Sequence, residues 1–191
     1  ANLRRYNMKQ TINDKTIKEI EEIFTDLGFQ KFRAKQVYRQ IHVNKINDFN
    51  EMTDLPKDMR EKLEGDFEIQ KVNLLETYAS KIDSTKKYLF ELNDGNIIEA
   101  VFMEYDDRKT ICISSQVGCR MGCTFCASTK NGLVRHLSAA EIIDEVYELE
   151  RLNGDINNIV IMGIGEPLDN FKNITKFIEI ITDEKGRNLS H

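Results

Sequence analysis

Cys119-Arg-Met-Gly-Cys123-Thr-Phe-Cys126 is the stretch on which the reading of this 191-residue chain turns. It follows a β-branched run, Thr110 to Ser114, that reads as a strand, and all four cysteines of the sequence lie between Cys112 and Cys126. Reducing surroundings keep structural disulfides from persisting, so cysteines clustered in this way, in a chain with no secretion signal, read as ligands or reactive thiols. Three thiolates on one short loop can grip three irons of a cubane cluster and leave the fourth iron open. Two plainer readings stand beside it: a zinc site completed by Cys112 or His136, and three buried thiols without a ligand. Structural zinc sites usually come as paired knuckles, and the sequence has no second one.

Beyond the cysteines, strand and helix alternate. Ser138-Ala139-Ala140-Glu141 is a capping box opening a helix with Ile142, Ile143, Val146 and Leu149 on one face, which Gly154 should end. Ile156 to Met162 reads as a buried parallel strand and Gly163 to Asp169 as a loop. Phe171, Ile174, Phe177, Ile178 and Ile181 then form the inner stripe of another helix. This order predicts α/β architecture, a parallel sheet with functional loops at the C-terminal strand ends, as at the start of a (β/α) barrel. Two strand–helix units cannot close a barrel, so the chain is expected to be truncated, with one parallel edge open.

Toward the N-terminus the class changes to α+β. Val72 to Thr77, Tyr88 to Leu92 and Ile97 to Tyr105 are strand-like, and Asn93-Asp94-Gly95-Asn96 predicts a hairpin turn. Earlier still, Ile17, Ile20, Phe24 and Leu27 mark a helix closed by Gly28, and Ala34, Val37, Tyr38 and Ile41 mark a second. A third begins after Pro56, with Met59 and Leu63 inward and Gly65 beyond its end. The expected division is a helical domain over 1–67, a β-hairpin connector over 68–107 and the strand–helix part over 108–191.

An apolar share of 40% can supply a core, and no apolar run nears the roughly 18 residues of a membrane span. A cytoplasmic, membrane-free protein is expected. The net charge of −5 gives no global sign of nucleic-acid binding. Locally, Gly28 to Asn47 holds Lys31, Arg33, Lys35, Arg39 and Lys45 with no acid, interleaved with Phe29, Phe32 and Tyr38. Such a segment is either the solvated side of a helix or a surface that tracks an RNA backbone while the aromatics stack or pack.

The residues ICISSQVGCRMGCTFCAST and the later MGIGEPLDN resemble the radical S-adenosylmethionine methyltransferases that modify carbon 2 of an adenine in large-subunit ribosomal RNA and in some transfer RNAs. KFRAKQVYRQI, MTDLPKDMREKL and DGNIIEAVFM extend the resemblance over most of the chain. It implies that Cys119, Cys123 and Cys126 hold a [4Fe-4S] cluster whose open iron takes S-adenosylmethionine, with Phe125 fitting the loop. Gly165 and Glu166 would receive the amino end of the cofactor, as suits a carboxylate facing an ammonium group. In this family one cofactor molecule methylates a cysteine near the C-terminus and a second yields a radical that activates that methyl group for attack on adenine. The resemblance makes Glu99 the acceptor of the proton from the attacked carbon and Cys112 the thiol that frees the RNA through a transient disulfide. It also implies RNA contact by Lys31, Arg33, Lys35 and Arg39, a reducing partner such as flavodoxin or ferredoxin, and a monomer.

No cysteine follows Cys126, so the methyl-carrying cysteine has no counterpart among these residues. A chain ending at His191 is expected to bind the cluster, and the cofactor with it, without transferring a methyl group. Methylation at carbon 8 is the near alternative, although GEPL and QVGC match the carbon-2 group better. A non-catalytic, zinc-containing RNA-binding module is the alternative from another class.

Overall fold

The computed structural model describes residues 9–190, which divide between Gln70 and Lys71 into two compact units. In the first, helix α1 (Ile17–Asp26) opens with a full capping box: Thr16 accepts from the Glu19 backbone N–H while the Glu19 carboxylate accepts from that of Thr16. Gly28, at φ +79°, turns the chain out of α1 and into α2 (Lys31–His42). Helix α3 (Lys57–Asp66) follows Pro56. Gly65, expected beyond this helix, lies inside it. The helix ends instead where Phe67 turns extended and enters the two-residue strand β2 (Phe67–Glu68), which pairs in parallel with β1 (Gln10–Thr11). Ile20, Phe24, Val37, Tyr38, Ile41 and Leu63 are shut inside, so the apolar stripes of all three helices meet in one core.

The second unit is built on a five-stranded sheet ordered β3 (Asn73–Ala79), β4 (Lys86–Glu91), β5 (Ile97–Glu104), β6 (Lys109–Cys112) and β9 (Asn158–Val160). The first four run antiparallel; β6 and β9 are parallel, with Cys112 opposite Val160. The segment 68–107, expected as a connector, is therefore part of the same sheet as the strand–helix part, because β5 pairs directly with β6 from Val101 to Glu104. Helix α4 (Ala139–Asn153), started by the Ser138–Glu141 capping box and stopped at Gly154, crosses between the two parallel strands, and α5 (Phe171–Ile181) follows β9. Ile98, Ala100 and Phe102 of β5 and Ile111 of β6 share a buried core with Ile142, Val146, Ile174 and Phe177 of these helices.

Residues opposite one another in a ladder share a face of the sheet. Val101 opposes Cys112, Met103 opposes Thr110, and Glu99 lies two residues along β5 from Val101. Glu99, Val101 and Cys112 thus occupy the face away from the helix-packed core, and all three are half-buried. No described helix is long and apolar enough to cross a membrane.

Candidate functional site

The three clustered cysteines lie on a hairpin absent from the sequence reading, which had expected a loop from strand to helix. Strand β7 (Gln116–Gly118) leads into the loop and β8 (Leu133–His136) returns antiparallel beside it, before α4. Gly118 sits at φ +72° with a would-be Cβ 2.0 Å from the Gly132 carbonyl oxygen, so only glycine lets the two strands close. Cys119 N–H donates to that same oxygen, and Cys126 N–H donates to the Cys123 carbonyl, coiling the loop back on itself. Cys119 is buried, Cys126 half-buried and Cys123 exposed, and none is in a disulfide.

Among the described residues no three His, Cys, Asp or Glu side chains converge as a metal site. The donor set nonetheless fits an iron–sulfur cubane: three free thiols on one turn of eight residues, flanked by Phe125 at 92% exposure. Of the other zinc donors weighed, His136 has its Nδ1 2.9 Å from the Gln116 amide nitrogen. Cys112 lies on the neighbouring sheet.

The Gly163–Asp169 loop, which follows β9, is bound to the residues just before the cysteines. Ser115 and Gln116 N–H both donate to the Ile164 carbonyl, Ser114 Oγ accepts from Ile164 N–H at 3.1 Å, and Gln116 Oε1 accepts from Glu166 N–H at 2.8 Å. Asp169 takes a hydrogen bond from Gln116 Nε2 and an ion pair from Arg120, which with Gln116 holds its carboxyl below the ordinary carboxylate range. Asn170 Nδ2 donates to the carbonyls of Ser115 and Leu137. Glycine is obligatory twice: a Cβ at Gly163 would stand 2.7 Å from the Ile113 carbonyl oxygen, and one at Gly165, at φ +108°, 2.6 Å from Gln116 Cβ. Gly165 and Glu166 are thereby carried against β7, at the base of the cysteine hairpin. The Glu166 carboxylate is half-buried and accepts from Leu168 N–H at 3.0 Å.

Glu99 pairs with Lys87 at 2.8 Å, and its backbone carbonyl accepts from Ser114 Oγ. Burial pushes the Cys112 thiol up from its ordinary range, the Met162 N–H works against that, and the Glu145 carboxyl adds to it. Glu145, on α4, is fully buried; Oε1 accepts from Ser114 N–H at 3.1 Å and Oε2 has no hydrogen-bond partner among the described residues, and burial raises its carboxyl well above the usual range.

In the helical unit Lys31, Lys35 and Arg39 stand exposed on α2, and Arg33 lies over the Phe32 ring while bonding Gln36. Phe32 is exposed, but Tyr38 is shut in the core against His42 and Phe29 packs on Phe24, so of the three aromatics only Phe32 presents a ring widely to solvent.

The family model for the ribosomal RNA large subunit methyltransferase N-terminal domain matches residues 11–69, and that of the radical SAM superfamily matches 113–190. The chain is 52% identical over 176 residues to a probable dual-specificity RNA methyltransferase RlmN of Lachnoclostridium phytofermentans, covering 92% of this chain and 49% of that one. The chain belongs to the RlmN family of radical SAM methyltransferases. An RlmN relative of the same description in Finegoldia magna is 45% identical over 183 residues, with 95% and 52% of the two chains covered. The fold is mixed α/β and agrees, at a TM-score of 0.86 and 33% identity, with a radical SAM methyltransferase from Sphaerobacter thermophilus, over 95% of this chain and 54% of that one. The chain thus spans about half the length of the RlmN proteins it matches.

Sequence reasoning singled out the cysteines, Gly165 and Glu166 as candidates, but not the side chains that join their loops. Ser114, Gln116, Asp169 and Asn170 were legible only as polar interruptions, Ser-Ser-Gln after an apolar strand and Asp-Asn before a helix.

Proposed function

We propose that this chain supplies the cluster-binding and cofactor-binding part of an enzyme that methylates carbon 2 of an adenine in large-subunit ribosomal RNA and in transfer RNA. The strands β6 and β9 with their helices would open a (β/α) barrel. Its inner face would be the one shared by Glu99 and Cys112, opposite the helix-packed core. The observation that carries the reading is the binding of the Glu166 loop to the base of the cysteine hairpin through Gln116 and the Arg120–Asp169 pair.

Cys119, Cys123 and Cys126 would hold a four-iron cluster. When bound there, the cluster with S-adenosylmethionine would supply an electron to the sulfonium and so a carbon radical. Glu166 would accept hydrogen bonds from the ammonium of the methionine part, and Gly165 lets its loop close on Ser115 and Gln116. Glu99 takes the proton from the attacked carbon, moving it from carbon to a carboxylate oxygen that Lys87 otherwise pairs. Cys112, whose thiol burial holds above its ordinary range, would free the RNA by bonding to the sulfur of the methyl-bearing cysteine as the carbon–sulfur bond to the adenine adduct breaks. The bond pair leaves with the RNA carbon, which takes up a proton to become the methyl group, and the two sulfurs remain as a disulfide. Lys31, Arg33, Lys35 and Arg39 contact RNA phosphates, a flavodoxin- or ferredoxin-like protein supplies electrons, and the enzyme works as a monomer in the cytoplasm.

The test is digestion to nucleosides of ribosomal and transfer RNA treated with the reconstituted full-length enzyme. 2-Methyladenosine that disappears in Cys112→Ala and Glu99→Gln is the expected product; 8-methyladenosine, or no methylation of either RNA, overturns the reading.

A further inference from the structure

Gln116 is completely buried and its amide makes three contacts whose directions are fixed by chemistry. The Glu166 backbone N–H can only donate, so the amide end 2.8 Å from it is the oxygen. The other end is then the nitrogen, and it donates one hydrogen to Asp169 Oδ2 at 2.9 Å, a carboxylate that Arg120 keeps charged. Its remaining hydrogen faces His136 Nδ1, also at 2.9 Å, across the β7–β8 pair in which Gln116 and His136 are direct partners. An amide nitrogen offers hydrogens and accepts none. His136 Nδ1 must therefore be the acceptor, and the ring proton sits on Nε2. Among the described residues no side chain or carbonyl is bonded to that Nε2–H, and the ring is half-exposed.

We infer that Gln116 is a positioning residue that seats the Glu166 loop on β7 and, through the same amide, holds His136 in the Nε2–H tautomer, making His136 a hydrogen-bond donor to a carboxylate or ribose oxygen of the bound cofactor. The donor role rests on the proposed S-adenosylmethionine site; the tautomer does not. Reversing the amide is excluded, since it would set an oxygen against Asp169 and an NH2 against the Glu166 N–H. Gln116→Glu keeps the shape and the acceptor for Glu166 N–H. It removes both hydrogens and sets a second carboxylate against Asp169.

The tautomer is read directly from long-range proton–nitrogen spectra of histidine-labelled full chain, without cofactor. His136 should show one tautomer, Nε2–H, in the wild type and lose it in Gln116→Glu. S-adenosylmethionine binding to the reconstituted protein by equilibrium dialysis should be at least about tenfold weaker in Gln116→Glu and in His136→Phe. Far-ultraviolet circular dichroism shows whether each variant has folded. An Nδ1–H or mixed tautomer in the wild type overturns the inference, as does unchanged binding in both variants. A wild type that shows the Nε2–H tautomer and binds no S-adenosylmethionine supports the positioning role of Gln116 and overturns the cofactor reading together with the donor role.

Discussion

At the scale of single residues, the site rests on three glycines, Gly118, Gly163 and Gly165, that close approach makes irreplaceable and on a buried acid. Gly163→Ala would push a methyl group onto the Ile113 backbone, where nothing flexible can give way. It should lower stability by about 1–3 kcal/mol, read from a urea-denaturation midpoint. Glu145 is kept protonated by burial, so the sign of its pH effect is opposite to that of a salt-bridged acid. Its carboxyl is raised in the folded state above the ordinary value of 4.5; its contribution is complete below 4.5 and is lost as pH rises toward the folded value. Wild-type stability should therefore fall relative to Glu145→Gln between pH 5 and pH 8, by about 1 kcal/mol or more. Wild-type and Glu145→Gln midpoints that instead keep a constant separation between the two pH values would contradict this, since they would mean that the Glu145 carboxyl is not raised in the fold. Residues such as these were invisible in the sequence because their partners are remote: Gln116 and Glu166 are 50 positions apart, and Asn170 reaches Ser115 across 55. The cysteines stood out because the cluster chemistry proposed for them depends on local spacing alone.

At the scale of elements, periodicity identified the helices and the strands of the sheet, and the two capping boxes show why local signals sufficed there. Ser138 accepts from Glu141 N–H, and the Glu141 carboxylate also receives a two-pronged contact from Arg135 of β8, tying the cysteine hairpin to α4. Ser138→Ala should cost about 1 kcal/mol, measured by thermal or urea melting. The hairpin itself could not be read. Leu133 to His136 is too short to show alternation, and what makes it a strand is pairing to Gln116–Gly118 and the glycine at 118. In the helical unit, burial lowers the pKa of His42 to about 3 from 6.5. A depressed histidine contributes stability that is present above 6.5 and lost as pH falls toward 3. The urea midpoint of the helical unit, followed by circular dichroism, should drop on acidification from pH 7 to pH 5, and His42→Phe should flatten that dependence.

At the scale of the whole molecule, the two family models divide along the helical unit and the α/β unit, the two compact parts of the structure. Their α and α/β characters were legible from the change of period near residue 69, where helical stripes give way to alternating strands. The merging of the hairpin into the sheet was not, since it depends on β5 meeting β6, a pairing that no turn signal between them specifies. The central claim is that Cys119, Cys123 and Cys126 serve together as cluster ligands. The most direct test is anaerobic reconstitution of the chain with iron and sulfide, followed by low-temperature electron paramagnetic resonance of the reduced protein with and without S-adenosylmethionine. The account predicts a reduced cubane signal that shifts when S-adenosylmethionine is added and is absent from Cys123→Ala; stoichiometric zinc without iron, or a cubane signal that survives that substitution, would contradict it.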